Sequence, residues 1–428
     1  MASGVLGLIA LALAGFGYVF DDRIQARLDE WQAERFRAEN NVPEVLPTAM
    51  VGASNAPNPA ALSAVPALDD AAELGVLQIA PTEVAGAAPS VTPAVSAPPA
   101  ASPTPPPSSH LLTGFRYEKQ KFNNCGPASL ALDLSYWGWQ GTQEDTAAFL
   151  KPISDDKNVS PIEMYNYLTS LGYDAYIRVN GDVALLKRFI AAGYPVLVEK
   201  GLQCAPNEGS RCSDWFGHYS TVVGYDDATQ TFVTQDTFRG PDYVQTYAEV
   251  MRNWRAFNYL FVVIFPAGPG RDAEVQRLLG AAADLQQNYT EALARARAET
   301  ETLTERDLAF AWFNVGTNRQ YLRDYAGAAE AFDRAREVGL PFRMVWYQFG
   351  PYRAYYNVLR FQDVIDLSTA AINSTPKPGL EEAYYWRGLA LEAYGQGLEA
   401  VEDYKVALEK NPRDLESREA LKRLGYLP

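Results

Sequence analysis

Apolar and polar positions change rhythm several times along this 428-residue chain, and each change predicts a boundary. Residues 4 to 20 (GVLGLIALALAGFGYVF) form an uncharged run of 17, at the short limit for a helix that crosses a bilayer. A membrane anchor or signal segment is therefore expected over 1–22, with a short helical stalk over 23–42. From 43 to 109 periodicity gives way to Ala, Pro, Ser and Thr, ending in SAPPAASPTPPPSSH. Such a stretch has too few apolar side chains to bury a core, and it reads as an extended, partly polyproline linker. Globular patterning then occupies 110–267, and a helical, repetitive pattern occupies 271–426.

Within 110–267 the helices precede most of the strands. NNCGPASLALDLSYWGW predicts a helix opening at Asn124 or Cys125, with Pro127 in its first turn, and closing at Gly138. Ser160 and Glu163 form a capping box for a second helix that ends at Gly172. YDAYIRV (173 to 179) is strand-like, Asp182 caps a third helix running to Gly193, and PVLVE (195 to 199) is a short apolar strand. HYSTVVGY and QTFVTQD alternate around Asp226-Asp227 as the strands of a hairpin, and YLFVVIF (259 to 265) supplies the last strand. An α+β domain follows, with N-terminal helices packed on an antiparallel sheet.

The C-terminal pattern has a period. Trp312 to Gly316, then Tyr325, Ala328, Phe332 and Ala335, is echoed 34 residues on by Trp346 with Phe349-Gly350, and again by Tyr384, Gly388, Ala400, Tyr404, Ala407 and Pro412. A degenerate earlier copy runs through Leu279-Gly280, Tyr289 and Ala292. The second copy needs a two-residue insertion. This region resembles the tetratricopeptide family, which implies an all-α stack with a concave surface for a protein partner. An ordinary helical bundle is the plainer alternative.

A formal net charge of −15 leaves no basic surface for phosphates, so nucleic acid is not an expected partner. Arg23, Arg27, Arg35 and Arg37 follow the apolar run and none precedes it, which by charge counting places the next segment inside the cell. The linker and the pair Cys204 and Cys212 point the other way. Those two cysteines share a polar insertion that a local disulfide would staple in an oxidising compartment, although two unpaired thiols fit the same loop. The expected location is the cell membrane, through a single N-terminal anchor, with the folded region extracytoplasmic. Secretion after signal cleavage and a buried helix are the alternatives.

The third cysteine, Cys125, sits where a helix N-terminus lowers a thiol pKa. A small buried cysteine is the bland reading of that position. Only two histidines occur, His110 at the linker's end and His218 in the hairpin, so an imidazole mechanism has one realistic choice. The midpoint of His218 and Asp236 is residue 227, inside the predicted turn, which sets the two side chains facing each other across adjacent strands. An acid so placed orients the ring and steadies its charged form; a mere cross-strand ion pair is the alternative. Gly126 would admit backbone and substrate, Gly217 would leave the imidazole uncrowded, and Gln120 is a polar loop amide five residues before the thiol.

QKFNNCGPASLAL followed by GHYSTVVGYDDATQTFVTQD resembles the papain-like cysteine peptidase family related to the bacteriocin-leader processing peptidases. The resemblance covers about 155 residues in the order Cys, His, Asp. It implies Cys125 as nucleophile, His218 as base, Asp236 as orienting acid and Gln120 as the oxyanion amide, with peptide cleavage through a thioester and no metal or organic cofactor. Two departures stand out: no GxxxxGK[ST] loop accompanies the domain, and Asn124 occupies a position where the processing enzymes carry an acid. A transpeptidase or amidase using the same three residues, and a non-catalytic surface assembly protein, are the competing functions.

Overall fold

The computed structural model describes residues 35–40, 42–49, 105–153, 155–203 and 215–428. The expected anchor over 1–22 and the Cys204 and Cys212 loop lie outside the described residues. Among the described residues, no helix is long and apolar enough to cross a membrane.

In the α+β unit the first helix, α1 (Cys125–Tyr136), opens at the cysteine itself, with Asn124 as N-cap but without a side-chain cap bond. Two helices follow under capping boxes: α2 (Gln143–Leu150), through Thr142 and Asp145, and α3 (Pro161–Ser170), through Ser160 and Glu163. A fourth, α4 (Val183–Ala191), starts where the Asp182 carboxylate accepts from the Leu185 N–H. Each cap satisfies backbone N–H groups that have no partner inside the helix, which is why the starts of α3 and α4 are readable from local sequence; the sequence reading misses α2.

Seven strands form one antiparallel sheet: β1 (Ser109–Leu111), β2 (Tyr173–Arg178), β3 (Val196–Gln203), β4 (Trp215–Asp226), β5 (Thr231–Asp236), β6 (Gly240–Thr246) and β7 (Phe261–Pro266). Their order is β2-β7-β3-β4-β5-β6, with β1 added to β4. A helix α5 (Tyr247–Trp254), capped by Thr246 and Glu249, links β6 to β7. Strands β3 and β7 are almost wholly buried, so both faces of the sheet are covered. Leu130 and Leu134 of α1 pack with Leu197, Tyr219 and Ile264 in one cluster, while Leu186, Phe189 and Trp254 pack with Val196, Val198 and Val263 in another.

The hairpin register departs from the symmetric expectation. Thr221 pairs with Gln235, a bulge interrupts the ladder between Val222 and Gly224, and the strands end at Asp226 and Thr231. Continuing that register puts Asp236 opposite Ser220, two residues short of His218. The displacement is even in number, so the two side chains keep a common face and meet diagonally. The linker boundary also shifts. Pro107 accepts from the Tyr225 hydroxyl (2.8 Å) and Ser108 from the Asp227 N–H (2.8 Å), which places residues before 110 on the sheet. Residues 44 to 47, assigned to the linker on composition, pack on the C-terminal helices. Composition described the average of the stretch and missed one Leu with a receptive neighbour.

After α6 (Pro269–Leu279) the chain is helical: α7 (Leu285–Thr302), α8 (Glu305–Tyr321), α9 (Tyr325–Val338), α10 (Met344–Tyr347), α11 (Gly350–Asn357), α12 (Phe361–Ile372), α13 (Glu381–Ala393), α14 (Gly397–Lys410) and α15 (Leu415–Arg423). Consecutive helices pack as hairpins, and glycines set the closest approaches. A Cβ at Gly316 would stand 2.6 Å from the Phe332 ring, and one at Gly388 would stand 2.7 Å from the Tyr404 ring. In both hairpins the glycine precedes its aromatic partner by 16 residues, so the same contact recurs. The copy beginning at Trp346 is broken into α10 and α11 at Gln348-Phe349, just ahead of Pro351, which has no N–H to bond back to α10 and fits only the first turn of a helix.

Tyr404 is fully buried and its hydroxyl holds Glu392 (2.9 Å), so the ring cannot retreat. Gly388→Val is expected to lower stability by about 2 kcal/mol through overpacking, read as a shift of the urea midpoint at constant slope.

Candidate active site

The site is built where β5 ends and β4 continues. Asp236 is the last residue of β5, and His218 lies in the part of β4 beyond it. His218 Nε2 is 2.9 Å from Asp236 Oδ1. The same oxygen accepts from the backbone N–H groups of Phe238 (3.0 Å) and Arg239 (2.9 Å). Oδ2 accepts from Lys200 Nζ at 3.1 Å, an ion pair with both partners essentially inaccessible to solvent. Lys200 pairs with His218 across β3 and β4, which puts ammonium, carboxylate and imidazole on one face.

Cys125 reaches this corner from α1. Ser129, one turn along, donates to the Tyr219 carbonyl (3.1 Å), tying the helix to the backbone next to His218. Burial pushes the thiol pKa up. Its interaction with the His218 ring, the Tyr219 N–H and the Lys151 ammonium outweighs this, and the net displacement is downward. For His218, burial disfavours the imidazolium, but the Asp236 carboxylate and the Cys125 sulfur raise its pKa to about 9. Burial would also raise the Asp236 pKa, yet His218 and Lys200 hold it well below the carboxylate range. With Nε2 committed to Asp236, Nδ1 accepts or donates no hydrogen bond among the described residues and is the ring nitrogen available to the Cys125 sulfur. Both displacements favour the charged pair, thiolate with imidazolium, over the neutral pair.

Aromatic rings close over the imidazole. Phe216 and Phe238 lie 6.5 and 6.1 Å from the His218 ring centre, and 5.9 Å from each other, all edge-on. They exclude water from the His–Asp bond and so strengthen it.

Gln120 comes to the same corner. Its backbone N–H donates to the Thr237 carbonyl (3.0 Å), and its side-chain Oε1 accepts from the Thr237 hydroxyl (3.0 Å). That second bond assigns the amide oxygen and leaves the NH₂ group facing elsewhere. The loop before Cys125 is held by Gln143, whose Oε1 accepts from the Lys121 N–H and the Asn124 amide, both at 2.9 Å. Asn124, where an acid was expected by resemblance, is thus a buried loop brace.

Two glycine readings are revised. A Cβ at Gly126 would meet Met164 and Val159 at 3.1 Å, so this glycine serves close packing of α1 on α3. A Cβ at Gly217 would meet Phe257 at 2.9 Å and Tyr347 at 3.2 Å, so the space there belongs to aromatic residues, one of them from α10. Tyr347 also joins Trp215, Phe257 and Phe310 in a ring cluster, with centroids 5.7 to 6.0 Å from that of Trp215, which fastens the helical region beside His218. Sequence reading missed Lys200, Thr237 and Tyr347. Lys200 alone carried a signal, as a charge inside an apolar strand.

The site thus sets a cysteine at a helix start against an imidazole that is hydrogen-bonded to a carboxylate, in an antiparallel α+β domain. Residues 112–261, roughly a third of the chain, match the model of the family described as Peptidase_C39 like family, and this segment is therefore similar to a family of peptidases. A solved structure of a candidate C39-like peptidase from Bacillus anthracis aligns over 38% of this chain and 99% of its own, at 16% identity and a TM-score of 0.31. A comparison with curated proteins finds no match.

Proposed function

We propose that the 110–267 unit is a papain-like cysteine peptidase, in which Cys125 is the nucleophile, His218 the base and acid, Asp236 the orienting carboxylate and Gln120 an oxyanion donor. One observation carries this reading: Lys200, Asp236 and His218 are joined in series by an ion pair (3.1 Å) and a hydrogen bond (2.9 Å), and the Cys125 sulfur, at a helix N-terminus, interacts with the same ring. The family match over 112–261 supports a peptide or protein substrate.

The Cys125 thiolate attacks the scissile carbonyl, and the oxygen gains charge facing the Cys125 N–H and the Gln120 amide. Collapse breaks the C–N bond, and the amine leaves with the proton held on His218 Nδ1. A thioester remains on Cys125. His218 then takes a proton from water, the hydroxide adds to the thioester, and the acid departs as the thiolate is restored beside the imidazolium. Asp236 keeps the ring in place throughout.

The same proposal places the unit outside the cell on an N-terminal membrane anchor, with the helical region as tetratricopeptide-like repeats that hold substrate or a protein partner. The apolar run at 4–20 and the recurring glycine–aromatic contacts support those two parts.

The test is hydrolysis of a peptide library by the full chain, read by mass spectrometry before and after alkylation with iodoacetamide. Cys125 is expected to alkylate at pH 6 faster than a free thiol, and alkylation should end hydrolysis. Activity should also fall above about pH 9, where His218 loses its proton. Hydrolysis that survives complete modification of Cys125 would end the proposal.

A further inference from the structure

Residues 44 to 47 lie in an extended conformation on the C-terminal helices, far in sequence from anything they touch. Leu46 donates its N–H to the Leu340 carbonyl (2.9 Å), and Phe342 donates to the Glu44 carbonyl (3.2 Å), so Val45 and Pro341 form an antiparallel bridge. The Leu46 side chain is 3% exposed and belongs to the core cluster of the helical region, whereas Val45 is 45% exposed. Pro47 offers its carbonyl to Arg336 Nε at 2.7 Å.

Arg336 is a prepared donor. It is 3% exposed on α9, and its Nη1 is held by Asp363 (3.3 Å) and the Tyr355 hydroxyl (3.1 Å). A buried guanidinium with one N–H turned outward needs an acceptor there, and a peptide carbonyl supplies it. The main-chain bonds give affinity and the leucine gives selectivity, as in strand addition to a sheet edge. Upstream, Phe36, Asn40 and Val42 line a cavity of about 360 Å³ between the segment and the helices, and the Arg37 guanidinium lies over the Phe342 ring (5.7 Å), while the main-chain bonds to the helical region come from Glu44, Leu46 and Pro47. At the other end of the linker, Pro107 and Ser108 are fastened to the sheet.

We propose that residues 44–47 are a cis-acting peptide ligand of the helical region, a clasp that holds the N-terminal segment to the folded body independently of residues 50–104. The surface at Arg336 and Leu340–Phe342 is then a receptor for an extended segment of the type acidic, aliphatic, Leu, Pro. The chain is fastened on both sides of residues 50–104, and a cut within them leaves the two pieces associated. Where the N-terminal run is an anchor, standoff is set by the residues before 44, not by the long linker.

The test uses the full chain in detergent, with a site-specific protease sequence inserted after Gly75 and cut to completion. The N-terminal piece is expected to co-elute with the remainder on gel filtration, and a synthetic peptide of residues 35–49 in excess should displace it. Leu46→Asp should release the piece at least tenfold more readily, with the rest of the protein folded by circular dichroism. Val45→Ala should change nothing, since Val45 contributes its backbone. Separation of the unsubstituted pieces on cutting, or equal retention of Leu46→Asp, would overturn the clasp. Neither readout involves hydrolysis, so failure of the peptidase proposal leaves this test intact.

Discussion

Asp236→Asn is expected to lower peptide hydrolysis by about 10³- to 10⁴-fold, with unfolding easier by about 3 kcal/mol or more. The activity loss follows from the ring: an amide can no longer offset the imidazolium, and it can turn its own N–H toward Nε2. The stability loss has a different origin. Lys200 is buried with Asp236 as its ionic partner (3.1 Å), and its other contact is the neutral Gln245 amide oxygen at 3.3 Å. Removing the carboxylate charge strands an ammonium in a low-dielectric interior. The two effects separate in the double variant Lys200→Met with Asp236→Asn, where most of the stability should return and the activity should not. Chemical denaturation and kcat/KM on one library peptide measure both. A single Asp236→Asn variant within tenfold of the parent rate would remove the carboxylate from the mechanism.

The second large effect is a stability that falls as pH rises. Where the α+β unit meets the helices, carboxylates face one another from four directions: Asp156 ahead of α3, Glu163 on α3, Glu381 and Glu382 on α13, and Asp414 and Glu416 at the start of α15. Asn411 spans Glu163 and Glu381 at 3.5 and 2.9 Å, Asn158 donates to Glu382 at 3.3 Å, and Lys410 lies 3.9 Å from Asp155. Lys151 and Lys157 offer partial compensation, but among the described residues Asp156 Oδ2, Glu381 Oε2 and Glu382 Oε2 accept no hydrogen bond. Burial, reinforced by Glu381, raises the Glu163 pKa to about 7, and burial raises Asp156, Glu381 and Glu382 as well.

A carboxyl whose pKa is higher folded than unfolded holds its proton more tightly in the folded state. Its stabilising contribution is complete below about pH 4.5 and is lost as pH rises through about 7. For Glu163 alone the loss is about 3 kcal/mol. Urea midpoints at pH 5 and pH 8 should differ accordingly, and Glu163→Gln, which cannot ionise, should narrow the gap. Equal midpoints in the parent protein would mean that these groups are not held neutral. The junction also touches the thiol loop, because Asn123 donates to the Asp156 carbonyl (2.5 Å) while Lys151 reaches the Asn123 carbonyl (2.5 Å).

Helix starts at Cys125, Pro161 and Val183, the apolar strands, and the shared hairpin of His218 and Asp236 were all readable from the residues. These features rest on interactions spanning a few positions: a capping oxygen reaches an N–H three residues on, and alternation in a strand reports which side is buried. The order of thiol, imidazole and acid was legible for the same reason. Each member announced itself by residue type within an element of clear period.

Other features depended on contacts between distant segments. A bulge and a longer turn moved Asp236 off the position facing His218, yet an even displacement kept the face. Lys200 became the acid's second partner only when β3 was laid beside β4. Leu46 gained a receptor nearly three hundred residues away, and carboxylates that look solvated in sequence became buried neighbours across a domain junction. Local periodicity encodes which face of an element is apolar. What that face meets, and what burial then does to a charge or a stray leucine, is set by the packing of the whole chain.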